Sequence, residues 1–241
     1  MIKKDVKETF EIIADRFDKV RKLPWPDLLD FIDETGFIDK DDLGLILDLG
    51  CGNGRHGRYI LEKRPNDRSI NIVGVDIAFN FLKLARKYGK DINYINADAN
   101  YLPFKQKIFN RILSIAILHH IPNYNNRKDS LLELKRVLAN NGLVLISVWR
   151  LWQKRFYKYF LKEVKIKKFL EWNGEFGDIF VPWHNQDKKV IANRFYHLFS
   201  IDEFNKIIRE TGFVIKKSKI AGTTREKGTI FAVLKIMDTC I

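Results

Sequence analysis

Residues 45–54, Leu-Ile-Leu-Asp-Leu-Gly-Cys-Gly-Asn-Gly, decide the fold of this 241-residue chain. The apolar first half predicts a short buried strand, and residues 55–63 have the pattern of a helix. The glycines between them allow a tight turn and a close approach of the backbone to a ligand, because no Cβ stands in the way. Asp48, near the strand end, would repel a pyrophosphate and attract a cationic ligand. The stretch therefore predicts a strand, a ligand-binding loop and a helix.

Two further acidic residues follow the next two predicted strands. Asp76 ends the strand-like run 70–76, and Asp98 follows the run 92–97. Residues 52–57 also fit the G-x-G-x-x-G pattern of dinucleotide-binding proteins, which is a weak signal alone and which also predicts an acidic residue near position 76. Both kinds of cofactor carry a ribose, so Asp76 does not discriminate between them. Asp98, the third acidic residue at a strand end, does discriminate between the two kinds of cofactor. The order of the three carboxylates along the chain resembles that of the class I S-adenosylmethionine-dependent methyltransferases.

This resemblance implies S-adenosyl-L-methionine as the cofactor and S-adenosyl-L-homocysteine as the product. By the same resemblance, Asp76 clamps the ribose, and the Asp98–Ala99 pair reads the adenine through a carboxylate and the backbone. The implied cofactor-binding residues are Asp48, Gly50, Cys51, Gly52, Asn53, Asp76, Ile77, Asp98, Ala99 and Ala116.

Strand-like and helix-like segments alternate along the chain beyond the glycine loop. The predicted strands are 45–49, 70–76, 92–97, 109–116 and 143–149, the last after a turn at 140–142, and the predicted helices are 55–63, 78–88 and 129–138. Such alternation predicts an α/β fold with a doubly wound, Rossmann-like sheet and a ligand at the carboxyl ends of its strands.

The ends of the chain complete this expectation. Residues 213–220 and 229–235 are close enough to pair as a hairpin, so we expect a mostly parallel, seven-stranded sheet with an antiparallel final strand. Residues 1–40 predict two helices before the sheet. The whole of 1–241 is expected to be one methyltransferase domain that carries an insertion at 150–199.

Composition bounds the environment of the protein. The two cysteines, Cys51 and Cys240, are poorly placed for a structural disulfide. The sequence has no C-x-x-C pair, which would have suggested a metal site. The first residues lack the apolar run of a signal peptide, and no run approaches membrane-spanning length. We therefore expect a cytoplasmic protein with no metal of its own and no membrane partner.

Positive charge is concentrated in the insertion. The chain carries a net charge of +13, and residues 150–173 hold eight Lys/Arg against two Glu, with aromatic residues between them. Cations that neutralise phosphates and rings that stack on bases are what an RNA surface needs, so Lys154, Arg155 and Lys158 are candidate RNA contacts. The alternative is an amphipathic helix that packs its rings inward and leaves its lysines in water.

Three further regions narrow the family. They are Phe-Asp-Lys-Val-Arg-Lys-Leu-Pro-Trp-Pro at 17–26, Leu-His-His at 118–120, and the pair of stretches 178–184 and 194–199 within the insertion. Together they resemble the stand-alone form of the wobble-uridine tRNA methyltransferases, which esterify 5-carboxymethyluridine at position 34 of the anticodon. The resemblance also implies a heterodimer with a small zinc-binding activator that docks on the exposed sheet edge at Ile92–Ala97.

The same stretches supply candidate residues for the reaction. A carboxylate is already ionised at neutral pH, so the enzyme needs a cation to position it rather than a general base. Arg21 and Arg194 are candidates for that cation, with Tyr196 and His197 as hydrogen-bonding neighbours, although each arginine could instead form a structural ion pair. The other candidates are His120 beside the methyl donor, and Trp25, Trp183 and His184 toward the substrate, each of which could equally be a packing residue.

Two alternative functions remain open at the level of the sequence. A small-molecule methyltransferase of the quinone or sterol type shares the glycine loop, but it predicts an uncharged insertion. A non-catalytic RNA-binding subunit with a degenerate cofactor fold is opposed by the intact acidic residues and glycines.

Overall fold

Nine strands and seven helices make up the described part of the chain. The computed structural model describes residues 2–39, 43–89, 91–169, 174–222 and 228–237. Its strands are β1 Leu45–Leu49, β2 Asn71–Asp76, β3 Asn93–Asn96, β4 Phe109–Ile115, β5 Leu138–Trp149, β6 Asp178–His184, β7 Val190–His197, β8 Phe213–Ala221 and β9 Thr229–Ile236. The helices are α1 Ile2–Val20, α2 Pro26–Thr35, α3 Arg55–Lys63, α4 Phe79–Tyr88, α5 Tyr124–Val137, α6 Lys154–Phe169 and α7 Ile201–Glu210.

Seven of the strands form one sheet in the order β3-β2-β1-β4-β5-β9-β8. The first five run parallel to one another, whereas β9 is antiparallel to both of its neighbours. β1 lies at the switch point, with β2 on one side and β4 on the other, which is where ligands bind in such sheets. The predicted doubly wound sheet with an antiparallel final strand is confirmed, and β3 lies at its edge.

Helices cover both faces of the sheet, and each face has its own core. On one face Leu47 and Leu49 of β1 pack in a cluster with residues of α5 and α7, such as Leu131 and Phe204. On the other face Ile46 packs in a cluster with residues of α2, α3 and α4. This alternation along β1 follows from the two-residue period of a strand, and it makes the strand apolar throughout except at Asp48.

Three local predictions were wrong. The turn expected at 140–142 belongs to β5, which pairs Leu138 with Phe109, slips in register, and then pairs Leu143 with Arg111. Helix α5 begins at Tyr124 rather than at 129, because the Asn123 side chain caps it by accepting a hydrogen bond from the Asn126 amide. The stretches 178–184 and 194–199, which are missing from the predicted strands, lie largely in the antiparallel strands β6 and β7.

Helix α1 and the insertion lie over one end of the sheet. α1 packs on α4 through a small separate cluster that contains Phe10, Phe17 and Phe81. The insertion has its own core, which includes Phe156 and Phe160 of α6 and Tyr196 of β7. In the described part of the chain, no helix is both long and apolar enough to cross a membrane. Cys240 lies outside the described residues, and Cys51 is a buried free thiol.

The conformation of the loop after β1 predicts how alanine is tolerated at Gly50 and Gly52. Gly50 and Gly52 have positive φ angles of 65° and 55°, so alanine at either position costs about 1–2 kcal/mol of conformational strain. An added Cβ at Gly50 would also collide with the Ile117 side chain, whereas at Gly52 its nearest neighbour is a Phe81 carbon at 3.8 Å. We therefore expect Gly50→Ala to lower the free energy of unfolding more than Gly52→Ala. Urea unfolding of the two variants measures this, and equal losses would contradict the packing described here.

Candidate active site

One cleft lies at the carboxyl ends of the central strands. It encloses about 1270 Å³, including the part open to solvent, and its floor comes from residues that follow β1, β2 and β4. Helix α1 and strand β7 form its other walls. Of the residues singled out in the sequence, it brings together Arg21, Trp25, Gly50, Cys51, Gly52, Asn53, Asp76, Ile77, Asp98, Ala99, Ala116, His120, Trp183, Arg194 and Tyr196.

The glycine loop is held by the end of β2. The Cys51 amide donates to the Val75 carbonyl at 3.0 Å, and the Gly52 amide donates to Asp76 Oδ2 at 2.9 Å. The other oxygen of Asp76 accepts from the Ala78 amide at 2.8 Å. Burial raises the pKa of Asp76 to about 6, against the effect of these amide donors. Asp76 therefore both shapes the loop and presents a carboxylate to the cleft.

The candidate adenine end lies at the end of β3, whereas Ala116 follows β4 on the other side of β1. Asp98 and Ala99 line the cleft beside Ile77, and Asp98 Oδ1 accepts from the Asn100 amide at 2.9 Å. Ala116 is one of the few non-glycine residues with a positive φ, 61°, and its amide donates to the Ser147 side chain at 3.0 Å. The loop backbone, Asp76 and Asp98 thus lie on one wall in the order that an amino acid, a ribose and an adenine would require.

Asp48 does not line this cleft, contrary to its predicted place beside the cofactor. It is buried beneath the loop, where its Oδ2 accepts from the Gly57 amide in the first half of α3 at 3.2 Å. Burial raises the pKa of Asp48 to about 7, and Oδ1 has no hydrogen-bond partner among the described residues. Because successive residues of a strand face opposite sides, Asp48 faces the core that α3 covers.

Three arginines converge on the opposite wall of the cleft. They are Arg21 after α1, Arg55 at the start of α3 and Arg194 on β7. Within the described ranges, none of them has a carboxylate oxygen within 4.0 Å. Burial lowers the pKa of Arg55 to about 10, and burial also lowers the pKa of Arg194. Positive charge that is partly buried and has no paired anion favours an anionic ligand.

Sequence reasoning missed Arg55 and its neighbour His56, although the helix pattern carried a signal. Both residues stand in the first turn of α3, where the helix dipole disfavours cations and acidic residues are usual, and α3 has no acidic residue there. Arg55 Nε donates to His56 Nε2 at 3.2 Å, and Arg55 Nη1 donates to the Arg21 carbonyl at 3.3 Å. A basic helix start beside a glycine loop indicates an anion nearby.

Three buried nitrogens that line the cleft lack a hydrogen-bond partner among the described residues. They are His56 Nδ1, Trp183 Nε1 and Arg194 Nε. The indole and guanidinium nitrogens carry hydrogens, and His56 Nδ1 carries one because its Nε2 accepts from Arg55. Buried donors in folded proteins are nearly always satisfied, so these three N–H groups require an acceptor, which a water molecule or a ligand would supply.

Aromatic rings hold the arginines in place. Trp183 stacks on Phe17 with the ring centroids 6.2 Å apart, and the Arg194 guanidinium lies 4.5 Å from the Trp183 centroid and 5.2 Å from the Tyr196 centroid. Arg55 lies 5.6 Å from the centroid of Trp25. These cation–π contacts fix the guanidinium planes without neutralising their charge.

The adjacent residues His119 and His120 have different surroundings. His120 lines the cleft, its Nδ1 donates to the Phe195 carbonyl at 2.9 Å, and burial lowers its pKa to about 3, so the ring is neutral. His119 is fully buried and stacks on Trp149 at 4.9 Å. His120 therefore offers the cleft an unprotonated Nε2, which is an acceptor rather than a cation.

His197 lies outside the cleft, contrary to the expectation that it neighbours the substrate. Along β7 the side chains of Arg194 and Tyr196 share one face, and His197 takes the other. Its Nδ1 lies 2.7 Å from Asp178 Oδ1 and its Nε2 lies 2.7 Å from Glu203 Oε1.

Glu175 and the buried Arg127 complete this ion-pair network. Glu175, Asp178 and His197 are close enough together to hold a metal ion. Their ligand atoms are already engaged, however: Glu175 binds Arg127 and the Tyr124 amide, and Asp178 binds His197 and the Glu175 amide. The network therefore joins the insertion to α5 and α7.

The remaining candidates lie outside the cleft lining. His184 is exposed at the end of β6, and Lys154, Arg155 and Lys158 are exposed on α6. The Arg155 guanidinium lies 4.5 Å from the centroid of Trp149, which does line the cleft. The basic start of α6 is therefore adjacent to the cleft wall.

Comparisons with known proteins agree with this geometry. A family model described as a methyltransferase domain matches residues 47–146. The chain is 26% identical over 226 residues to the tRNA (carboxymethyluridine(34)-5-O)-methyltransferase of Schizosaccharomyces pombe, covering 86% of this chain and 87% of that protein. It is 34% identical over 147 residues to the Arabidopsis thaliana protein of the same name, covering 61% of this chain and 33% of that longer protein.

Among solved structures, a SAM-dependent methyltransferase from Methanosarcina mazei superposes with a TM-score of 0.68 at 19% identity, over 90% of this chain and 100% of that one. Fold and cleft thus define a class I S-adenosylmethionine-dependent methyltransferase. Within that class, the relatives to which this chain is similar include several tRNA (carboxymethyluridine(34)-5-O)-methyltransferases.

The His197 network predicts a pH dependence of stability. Burial lowers the pKa of His197, but hydrogen bonds to Asp178 and Glu203 outweigh it, so the net pKa is raised above 6.5. This contribution to stability is therefore full below about pH 6.5 and is lost as the pH rises through the folded-state pKa. We expect the difference in unfolding free energy between the parent and His197→Asn to shrink as the pH rises above about 6.5.

A His120→Asn variant is the matched control for this measurement. The folded-state pKa of His120 is lowered to about 3, so His120 stays neutral and its contribution is flat above about pH 6.5. A difference between the parent and His197→Asn that is equally flat in that range would rule out the raised pKa of His197.

Proposed function

We propose that this chain transfers a methyl group from S-adenosyl-L-methionine to the carboxylate of 5-carboxymethyluridine at the wobble position of tRNA. The observation that carries the proposal is the wall of three arginines, Arg21, Arg55 and Arg194, which have no carboxylate partner among the residues that the structure describes. The buried N–H groups of His56 and Trp183, which lack an acceptor within the described ranges, belong to residues of the same wall. A carboxylate beside a uracil presents the anionic and acceptor oxygens that such a wall lacks.

The cofactor fits the opposite wall. The glycine loop is a cradle that a Cβ at Gly50 would obstruct, and Asp76 and Asp98 supply carboxylates for hydroxyl and amino groups. When it is bound there, S-adenosyl-L-methionine supplies a methyl group on a sulfonium, which is electrophilic without further activation. The residues of this chain therefore need to bind, orient and exclude water rather than activate the donor.

The acceptor also needs no general base. A carboxylic acid is ionised at neutral pH, and the cleft offers arginines that keep it so. A guanidinium that binds one carboxylate oxygen leaves the other free to attack the methyl carbon in line. Tyr196 has its pKa raised to about 12, chiefly by burial, so its hydroxyl stays protonated and can donate to the substrate.

The surface beside the cleft suits a polyanion. Lys154, Arg155 and Lys158 are exposed at the start of α6, in a chain of net charge +13. This distribution supports tRNA as the substrate, and it disfavours a quinone or sterol, which would need an uncharged entry. The intact cleft likewise disfavours a non-catalytic RNA-binding subunit. A cytoplasmic location, where the substrate tRNA is found, is part of the same proposal.

Nucleoside mass spectrometry of tRNA tests the function directly. Cells that lack this protein are expected to accumulate the unmethylated carboxymethyl form of wobble uridine and to lose its methyl ester. Restoring the parental gene should restore the ester, whereas an Asp76→Ala gene should not. Unchanged wobble nucleosides in the deletion strain would contradict the proposal.

Arg194 provides a sharper test of the carboxylate wall. Arg194→Met removes a charged hydrogen-bond donor worth about 1.5–3 kcal/mol, so kcat/KM for tRNA should fall by about one to two decades. Calorimetric affinity for S-adenosyl-L-homocysteine should stay near the parental value, because the cofactor lies on the other wall. Arg209→Met on exposed α7 is the matched control, and it should leave both quantities unchanged. A parental kcat/KM in Arg194→Met would remove Arg194 from the substrate site.

We also propose a small zinc-binding activator that pairs with the edge strand β3. β3 pairs with β2 on one side, and Ile92 and Tyr94 are buried by the sheet and its helices, so the backbone edge rather than an apolar face is what a partner would meet. An open strand edge is prone to pair with another chain, and a partner could add a strand beside β3, where the Tyr94 carbonyl at present accepts a hydrogen bond from Arg86 Nη2 at 3.2 Å.

Hydrogen–deuterium exchange tests this partner. Amides of Asn93–Asn96 should gain protection when the activator is added, whereas β8 at the opposite edge should not change. A chain that is fully active alone, with no change of exchange at β3, would contradict the heterodimer and leave the methyltransferase function intact.

A further inference from the structure

Two exposed aromatic rings stand together beside the basic start of α6, outside the cleft. Trp152 is 62% exposed and Phe176 is 64% exposed. Their centroids lie 6.5 Å apart, and both rings contact the buried Phe160, at 5.4 Å and 5.2 Å. All three contacts are edge-to-face, so none of these rings is stacked on another, and the exposed surface of Trp152 and Phe176 faces solvent. We name Trp152 and Phe176, with Phe160 beneath them, the aromatic platform.

The backbone of Trp152 is strained and firmly held. Its φ is 68°, in the left-handed region, which costs a non-glycine residue about 1 kcal/mol or more. On one side the Leu151 amide donates to the Phe199 carbonyl at 2.7 Å. On the other, Gln153 Nε2 donates to the Arg150 carbonyl at 2.8 Å and to the Gly228 carbonyl at 2.7 Å. The fold thus fixes a large ring in water, and burial of that ring does not explain the strain.

The positive charges that follow Trp152 in the sequence indicate which class of ligand the platform favours. Lys154, Arg155 and Lys158 follow Trp152 within two turns of α6, and all three are exposed. A protein partner that covered two apolar rings would also have to neutralise these cations. Unpaired nucleotides meet both needs at once, because their phosphates pair with cations and their bases stack on aromatic faces.

The platform and the cleft are two sides of one small core. Trp149 and Tyr196, which line the cleft, stack at 4.5 Å, and Trp149 stacks on Phe156 at 5.0 Å. Phe156 shares the insertion core with Phe160, which supports the platform. The insertion core therefore lies between the cleft and the platform.

We propose that Trp152 and Phe176 stack an unpaired base of the anticodon loop that flanks the nucleotide held in the cleft. This inference rests on the proposed tRNA substrate. It adds a second recognition point that reads the single-stranded character of the loop, whereas the arginines of the cleft read the carboxylate. Stacking tolerates any base, so the platform orients the loop without selecting its sequence.

Binding of an anticodon stem–loop that lacks the carboxymethyl group tests the platform apart from the chemistry. Trp152→Ala should weaken binding about tenfold, and Phe176→Ala should weaken it too, whereas Trp152→Phe should retain most of the affinity. The dependence of log affinity on log salt should keep its slope, because neither ring contacts a phosphate. Phe79→Ala, which removes an exposed ring on α4, is the matched control, and it should bind like the parent.

The outcomes separate this inference from the proposed function. Parental affinity in the Trp152→Ala, Phe176→Ala double variant, or a parent that binds no stem–loop, would overturn the platform while methyl transfer to modified tRNA could still proceed. A loss of affinity in Trp152→Ala together with no methyl transfer would support the platform and refute the function. A change in oligomeric state with unchanged RNA affinity would assign the rings to a protein contact instead, and so would also overturn the proposal.

Discussion

The cleft depends on the link between the Gly52 amide and the Asp76 carboxylate. This bond joins the loop after β1 to the end of β2 and fixes the positive φ angles of the loop. Because β1 lies at the switch point of the sheet, the loop opens a crevice there rather than continuing as a strand. Asp48 lies beneath the same loop and accepts a hydrogen bond from the Gly57 amide of α3, the helix that follows the loop. Two buried carboxylates thus hold the loop that faces the cofactor and the helix that follows it.

The opposite wall is built from parts that are distant in the sequence. Arg21 follows α1, Arg55 begins α3, and Arg194 lies on β7. α1 is held over the cleft by Glu11, whose carboxylate accepts from the Phe79 and Asn80 amides at the start of α4, and β7 is held by the His197 network. Positive charge is therefore assembled by tertiary packing, and it faces a wall that carries the carboxylates of Asp76 and Asp98. A cationic donor and an anionic acceptor would meet between the two.

The sequence predicted the sheet and the cofactor wall well, because both depend on short-range patterns. Apolar strands, glycines and acidic strand ends fix β1, the loop and Asp76 locally. The substrate wall was harder to predict, because the sequence alone does not distinguish Arg55 from an ordinary residue of a helix. Its position in the first turn of α3 is what directs attention to it. The prediction for His197 was wrong because it treated Arg194, Tyr196 and His197 as one group. Successive residues of a strand face opposite sides, so His197 faces away from Arg194 and Tyr196. The platform depends on Phe176, which lies 24 residues beyond Trp152 and carries no local signal.

The most direct test of the account is methyl transfer by the purified protein, with the activator present if it is required. Labelled S-adenosyl-L-methionine should methylate tRNA that carries 5-carboxymethyluridine at position 34, and mild base should release the label because the product is an ester. The same tRNA with the carboxylate converted to an amide should accept no methyl group, since the nucleophilic oxygen and its charge are gone. Equal labelling of both tRNAs, or a label stable to base, would contradict the claim that the arginine wall binds a carboxylate for esterification.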